Sequence, residues 1–552
     1  MILLFEFKTG ASHAVLENFL INISNEFNVE YFLRYEDKRV LFFILGDEEF
    51  LLDFSNKLSI YLPTSIFIDS FSARVVDEVF GEEREIKKCN LFLPFSPKMV
   101  EEVLNEHSVH YYNPFIKPSV GVGLKKDNEL IFKDENLTIT SKTSSFKEIF
   151  EKVAKKLFSG EGVDILTATG KFHVTALGDE KIKDGKYIFI PCDLSLVEKM
   201  CVIKSYQSEA LASLEKPILR LPINSIFAQK NIILDRFVHI KLADDILLLL
   251  LTKELFKLGV EFIKISPNLK QKSTLEYEGV TREPLYLTVL ENSTHLILNN
   301  SIYTPKESKE SLSAFKEPSI RQSARVLKEQ NLFNKNVVLL YFSKKHSDEI
   351  AFYSEDKGFV DLIKFNLPKD ASSIVEAIEK SKTGKRLIEN FSNKFSENFN
   401  NFKNLNFENH PNNLFTIFGA VGVLFGLGKN IEIGANLVLD KAFVFGGLKG
   451  PSIDFKLNDE SLRGEFNTTR FFKSIMSYLL AGADLETLSF ALIDSLGFFI
   501  SNFLDRTKDE LNSTNLIVSG SLFENERVSE VIIRQAKVRH QVSTAYELPL
   551  DE

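Results

Sequence analysis

LFTIFGAVGVLFGLGKNIEIGANLVLD, residues 414–440, is the stretch on which the fold of this chain turns. From Ile417 to Leu427 it holds no charged residue and no polar side chain, and Gly419, Gly422 and Gly426 punctuate it. Spanning a bilayer takes about 20 apolar residues, and Asn412, Asn413, Lys429 and Asn430 bracket this run too closely for that. The pattern predicts a helix buried on all sides in a large domain.

Around that stretch lie 552 residues, enough for roughly three or four domains. With 44% apolar and 26% charged residues the composition is that of a globular protein with several cores. A net charge of −9 argues against nucleic acid as a partner, because phosphate binding needs a basic surface. Met1 to Gly10 contains Glu6 and no basic stretch, so no signal peptide is expected, and no segment reads as transmembrane. Cys89, Cys192 and Cys201 form neither a disulfide framework nor a CxxC knuckle, which implies reduced, structural thiols in a cytoplasmic protein.

The first 80 residues alternate. Ile2–Lys8 reads as a strand, His13–Asn25 as a helix, Val29–Tyr35 and Arg39–Leu45 as a hairpin pair, Glu48–Leu62 as a helix and Ser65–Val76 as a strand. This βαββαβ order is the ferredoxin-like split unit, and it resembles an acylphosphatase domain. Such domains hold phosphate with an Arg and orient water with an Asn. Here the Arg position falls near Glu17 and the Asn position near Tyr35. An acidic side chain repels phosphate, so the unit is expected to serve packing or interaction.

SPKMVEEVLNEHSVHYYNPFIKPSVGVGL, Ser96 to Leu124, resembles the zinc-finger region of the [NiFe]-hydrogenase maturation carbamoyltransferases, the HypF family. That pattern is C-x-x-C-L-x-E-L followed by R-Y-x-Y-P-F-I-N-C-T-x-C-G-P. Tyr111 and Pro114-Phe115-Ile116 match it, with Asn113 for the second Tyr, while Pro118 and Gly121 stand at the second cysteine pair and Met99 and Glu102 near the first. Zinc takes about four N or S ligands. His107 and His110 alone cannot close a site, so zinc is not expected.

Residues 126–320 resemble the next module of that family, the YrdC-type adenylate-forming domain. Gly162 to Leu166 with Gly170-Lys171-Phe172-His173 echoes a strand ending in G-G-F-H, and Lys216-Pro217 keeps the K-P of R-K-x-R-x-x-K-P-x-A-x-M. The basic residues ahead of it are replaced by Ala210, Leu211 and Ser213. Thr281-Arg282-Glu283-Pro284 matches S-G-E-P, and Leu298 to Ile302 stands for H-N-R-x-I, whereas Glu276 to Gly279 has lost T-S-x-N. Asp244-Asp245 offers two readings: a Mg2+ pair or the cap of the Leu-rich helix that begins at Ile246.

The opening stretch then finds its place. Ile417 to Leu427 aligns without a gap to L-F-D-A-V-A-A-L-L-G-L of the family's carbamoyl-transfer domain, which resembles the tRNA threonylcarbamoyltransferases and is built on an actin-like ATPase duplication. Gly419 stands for the Asp of that motif. Glu432 to Asp440 matches E-G-Q-A-A-M-x-L-E with Gly434 for Gln, and Ile493 takes a His position. Val518 to Asn525 matches L-S-G-G-V-F-Q-N. The family's Q-H-H-H-A-H metal stretch has no counterpart between Asn336 and Asn413, where His346 and His410 lie far apart in the chain. At Pro549-Leu550-Asp551 the family continues P-x-D-G-G-x-A-L-G-Q, which leaves the acidic ligand in doubt. The stretch is thus expected to be an emptied active-site wall.

Other motifs are weak. Gly426-Leu427-Gly428-Lys429-Asn430 fails the P-loop at both ends. Lys380 to Arg386 is a basic patch expected on a solvated loop, or as a docking surface for an acidic partner.

The resemblance implies an α/β and α+β multidomain chain: an acylphosphatase-like unit (1–85), a degenerate zinc-finger-like segment (86–125), a YrdC-like domain (126–320) and a shortened carbamoyl-transfer, actin-like-ATPase-type domain (321–552). It implies a degenerate HypF paralogue of the HydE type. Such a chain would be a non-catalytic accessory protein in the maturation or assembly of a [NiFe] hydrogenase, with a hydrogenase subunit or other maturation proteins as partners. No metal or catalytic residue is assigned and no cofactor is expected. The alternative is a divergent carbamoyltransferase using carbamoyl phosphate and ATP, with Ser519, Gly520, Ser521 and Asn525, together with Lys216, as its nucleotide contacts. A third alternative places the opening stretch on a membrane surface.

Overall fold

The alternating N-terminal pattern folds as its period demands. Strand Ile2–Lys8 pairs antiparallel with both Arg39–Leu45 and Ser70–Val76, and Tyr31–Glu36 pairs with Arg39–Leu45, which puts the first strand next to the last. Asp37, in the left-handed region at φ 50°, turns the hairpin. Helices Val15–Glu26 and Glu48–Tyr61 complete the βαββαβ unit, with Phe5, Phe42 and Phe54 in mutual ring contact at 6.1–6.5 Å. The last strand begins at Ser70, five residues later than the pattern suggests. Thr64 and Ser65 are occupied elsewhere: the Leu214 N–H donates to the Thr64 carbonyl at 2.7 Å, and the Ser65 hydroxyl to Glu215 at 2.6 Å.

This computed structural model describes residues 1–86, 89, 91, 93–94, 131–134, 137–140, 146–178, 187–267, 275–276, 281–291, 294–305, 315–447, 449–459 and 461–551. The finger-like segment Ser96–Leu124, with His107 and His110, lies outside them. The chain divides into two units, Met1–Pro305 and Lys306–Glu552. In the first, an eleven-stranded mixed sheet carries strands Val163–Thr167, Gly170–Ala176, Ile188–Pro191 and Phe262–Pro267 near its middle. Helix Ile246–Lys257 packs on helix Phe146–Phe158, and Leu247 to Leu251 are buried, which accounts for the leucine run.

In the second unit Val337–Tyr341 pairs antiparallel with Glu349–Ser354, which pairs with Gly358–Lys364, while Asn515–Ser519 lies parallel on the other side and Gln541–Thr544 beyond it. A duplicated actin-like ATPase implies two such sheets; the described residues of this unit hold one, of six strands. Between Lys364 and Asn515 the regular elements among the described residues are helices, apart from the two-residue strand Gly464–Glu465.

The helix Leu414–Leu424 is capped by Asn413, whose side chain accepts from the Thr416 N–H at 2.8 Å, and all eleven of its residues are buried. It crosses helix Ile431–Val444 backbone to backbone. A Cβ on Gly419 would sit 2.4 Å from the Ile431 carbonyl oxygen, one on Gly422 2.3 Å from that of Gly434, and one on Gly434 2.5 Å from that of Gly419. The expectation of an emptied wall is therefore corrected: the two glycines face each other's helix, and the space of the lost Asp and Gln is filled by peptide backbone. Full burial leaves the helix Leu414–Leu424 no apolar face for a membrane surface, while on the following helix of the stretch Ile433 and Leu437 are exposed.

Two further expectations change. The 27-residue helix Leu485–Leu511 contains a window of mean hydropathy 1.5, so by length and composition one segment does reach membrane-spanning size; 67% of that window is buried inside the protein. Lys380 to Arg386 is not a loop, because Ser381 caps a helix Lys382–Lys394 by accepting from the Gly384 N–H at 3.0 Å, and Gly384 lies against the Ile378 carbonyl.

Candidate functional sites

Each site begins where the sequence places motif residues, and in each the charged groups are already engaged. In the acylphosphatase-like unit Glu17 and Tyr35 do meet, the Tyr35 hydroxyl donating to Glu17 Oε1 at 3.4 Å. Burial pushes the Glu17 carboxyl up, and Tyr35 pulls it back. The loop beside it encloses only about 20 Å3, lined by Thr9, His13, Glu17, Ser65 and Phe67. That is room for a water, not a phosphate. His13 packs edge-on to Phe67 at 4.8 Å, and burial lowers it to about 3, which keeps the ring neutral.

In the YrdC-like part Lys216 sits at φ 46° and is nearly buried, its ammonium donating to the Ala212 carbonyl at 2.7 Å. Burial brings it down to about 8. Its neighbour Glu215 accepts from Ser65 and from the Ile66 N–H at 3.1 Å. Asp245 is a cap: it accepts from the Leu248 N–H at 2.8 Å and, with its other oxygen, from the Ala168 N–H at 2.8 Å. Asp244 lies in a buried ionic cluster, 2.8 Å from the Lys241 ammonium and 3.0 Å from the Arg282 guanidinium. Burial opposes its charge, yet the two cations outweigh burial and hold it below the carboxylate range. Asp245 goes the other way, pushed up by burial and by Asp244.

Arg282 is the residue that sequence reasoning missed here. It replaces the Gly of S-G-E-P, and that substitution supplies the second cation on Asp244. Asn299, retained from H-N-R-x-I, holds backbone in place, accepting from the Tyr286 N–H at 2.9 Å and donating to the Pro284 carbonyl at 2.7 Å. His173 keeps a defined partner, with Nδ1 2.7 Å from Asp164 Oδ1 and about half its side chain exposed.

In the second unit the structure sets Ser521 against Asp551 and the Gly520 N–H on the Leu550 carbonyl at 2.7 Å, while the buried Ser519 hydroxyl has no hydrogen-bond partner. One Asp551 oxygen accepts from the Tyr341 hydroxyl. The other accepts from the Ser343 hydroxyl at 2.5 Å, the Ser521 hydroxyl at 2.5 Å and the Ser521 N–H at 3.1 Å. A carboxylate offers about four acceptor sites, two on each oxygen, and here three bonds converge on one oxygen and one on the other. The acidic residue that the sequence left in doubt is therefore present, 6% exposed and hydrogen-bonded at both oxygens. Pro549-Leu550-Asp551 carried that signal as P-x-D. Gly520 is required, since its φ is +101° and a Cβ would lie 2.2 Å from the Phe342 carbonyl oxygen. Asn525 caps helix Glu526–Ala536 by accepting from the Val528 N–H at 3.2 Å.

Asp348 binds this corner together, accepting from the Ser343 N–H at 2.7 Å and the Leu414 N–H at 2.6 Å. Burial, and to a lesser extent Asp551, push it well above the carboxylate range. Among the described residues no group of three or more His, Cys, Asp and Glu side chains is arranged to hold a metal ion. Cys192 and Cys201 are each pushed up to about 12, by burial foremost, which makes them poor nucleophiles.

No family profile matches the chain. It is similar to Protein HydE of Wolinella succinogenes, 28% identical over 574 residues with the whole of both chains covered. Two solved structures share its fold from end to end. One is full-length HypF in the phosphate- and nucleotide-bound form, with TM-score 0.64, 12% identity, and 100% of this chain and 96% of that chain covered. The other is HypF of T. kodakarensis, with TM-score 0.68, 10% identity and the same coverage. At that identity the likeness is one of fold.

Proposed function

We propose that this chain, HypF-like in fold throughout and similar to HydE over its whole length, is a non-catalytic accessory protein in the maturation or assembly of a [NiFe] hydrogenase. It works as a cytoplasmic protein-binding scaffold, with a hydrogenase subunit or another maturation protein as its partner. One observation carries this: at the old motif positions the chain's own atoms occupy the charged groups. Lys216 is bonded to Ala212, Asp244 to Lys241 and Arg282, and Asp551 to Tyr341, Ser343 and Ser521. Asp244 and Asp551 would have to give up these bonds to serve a metal, and Lys216 is buried with one of its ammonium donors on the chain's own carbonyl.

One observation favours the carbamoyltransferase alternative: the Ser519–Asn525 loop keeps its glycine geometry and its acid. The two are separated by measuring carbamoyl-phosphate-dependent ATP turnover on the purified protein. We expect none above a blank. Turnover that Asn525→Ala abolishes would overturn the scaffold assignment.

A further inference from the structure

A groove in the second unit has no role in any site above. It runs between helix Leu485–Leu511 and the end of helix Glu526–Ala536 and encloses about 550 Å3. Small-molecule sites occupy roughly 300–1,000 Å3. None of the residues around Asp551 lines it. Phe498 rises from the long helix with 58% of its surface exposed, and Val538 stands on the rim with 76% exposed.

The charges in the groove are unevenly spent. Arg539 is paired with Asp505 at 3.0 Å. Lys449 and Arg534, both lining residues, have no ion-pair partner among the described residues. The remaining acid is Asp494, which burial pushes up and which Arg534 and Lys449 pull back. The groove therefore offers two cations that share only the half-buried Asp494 and make no direct ion pair among the described residues, one of them a planar guanidinium suited to a forked anion, beside an aromatic face.

We propose that this groove binds a small organic anion, a carboxylate or phosphate monoester carried on a flat apolar body. The head group meets Lys449 and Arg534, and the body lies against Phe498. This is independent of the hydrogenase assignment.

Calorimetric titration of the full chain with phenyl phosphate, benzoate, inorganic phosphate and phenol tests it. Phenyl phosphate or benzoate should bind saturably, at least ten-fold more tightly than either inorganic phosphate or phenol, and the better of the two identifies the head group. Combining Lys449→Gln with Arg534→Gln should weaken that binding at least ten-fold, and Phe498→Ala at least three-fold. All three side chains are exposed, so an unchanged melting temperature will show that the variants remain folded. No binding by either aryl anion, equal binding of inorganic phosphate, or variants that bind like the parent would each overturn the proposal.

Discussion

Asp244 shows how a single residue decides between a site and a strut. Its carboxylate is 4% exposed, between Lys241 at 1% and Arg282 at 6%. Removing one member of a buried ionic group costs about 3–5 kcal/mol, because uncompensated charge stays behind. Asp244→Asn should therefore destabilise the first unit by about that much in denaturant unfolding. Replacing all three with Leu or Met should recover most of the loss, an outcome a ligand-binding role would not explain. His13 gives the pH counterpart. Its folded value of about 3 lies below the ordinary 6.5, so the neutral ring contributes stability that is present above pH 6.5 and is lost as pH falls toward 3. At about 1.4 kcal/mol per unit, the first unit should lose about 2 kcal/mol between pH 7 and 5 through this residue. Glu17 and Glu215, both raised by burial, act in the opposite sense. The effect is therefore read as the difference between the parent and His13→Phe, and an equal slope in the two would reject it.

At the scale of elements, most of the architecture was legible because it rests on period. The N-terminal strands and helices follow alternation and helical spacing to within two residues, except the last strand, which begins five residues late. The helix at Leu414 is apolar, and Asn413 announces its start. What spacing could not carry was distance between backbones. Gly419 and Gly434 looked like deletions of function, and only the facing carbonyl oxygens, which an added Cβ would meet at 2.4 and 2.5 Å, show that they are close-packing positions. Gly422→Ala tests this directly. Ala is favoured over Gly within a helix by about 1 kcal/mol, but the new Cβ meets Gly434 backbone at 2.3–2.5 Å and must separate the helices. We expect a net loss of about 1–3 kcal/mol. Gly446→Ala, with nothing within 4 Å, should stay within about 0.5 kcal/mol. Gly419→Asp would place a carboxylate in the same crossing, so it should unfold the second unit without conferring turnover. A variant as stable as the parent would refute the close-contact view.

For the whole molecule, four eroded motifs in one order made the fold readable although each was weak alone. The candidate sites were less readable, because their fate depends on partners from distant parts of the chain. Asp551 lies 210 positions from Tyr341 and 30 from Ser521. No local window contains both ends of such a bond. The same bonds set the expectation for nucleotide. A ligand present at about 100 times its Kd stabilises the folded state by about 2.7 kcal/mol, and for a unit of this size each kcal/mol moves the melting temperature by about 2–4 °C. Millimolar ATP with Mg2+ would thus raise melting by at least about 5 °C if either unit retained a site of about 10 μM affinity. We expect a shift below about 1 °C in scanning calorimetry. Breaking the Asp551 network with Ser343→Ala and Tyr341→Phe should lower melting without creating a response to ATP, because the carboxylate so released repels phosphate. A nucleotide-dependent rise in the parent would instead show that these hydrogen bonds open readily, and that the old cleft still functions behind them.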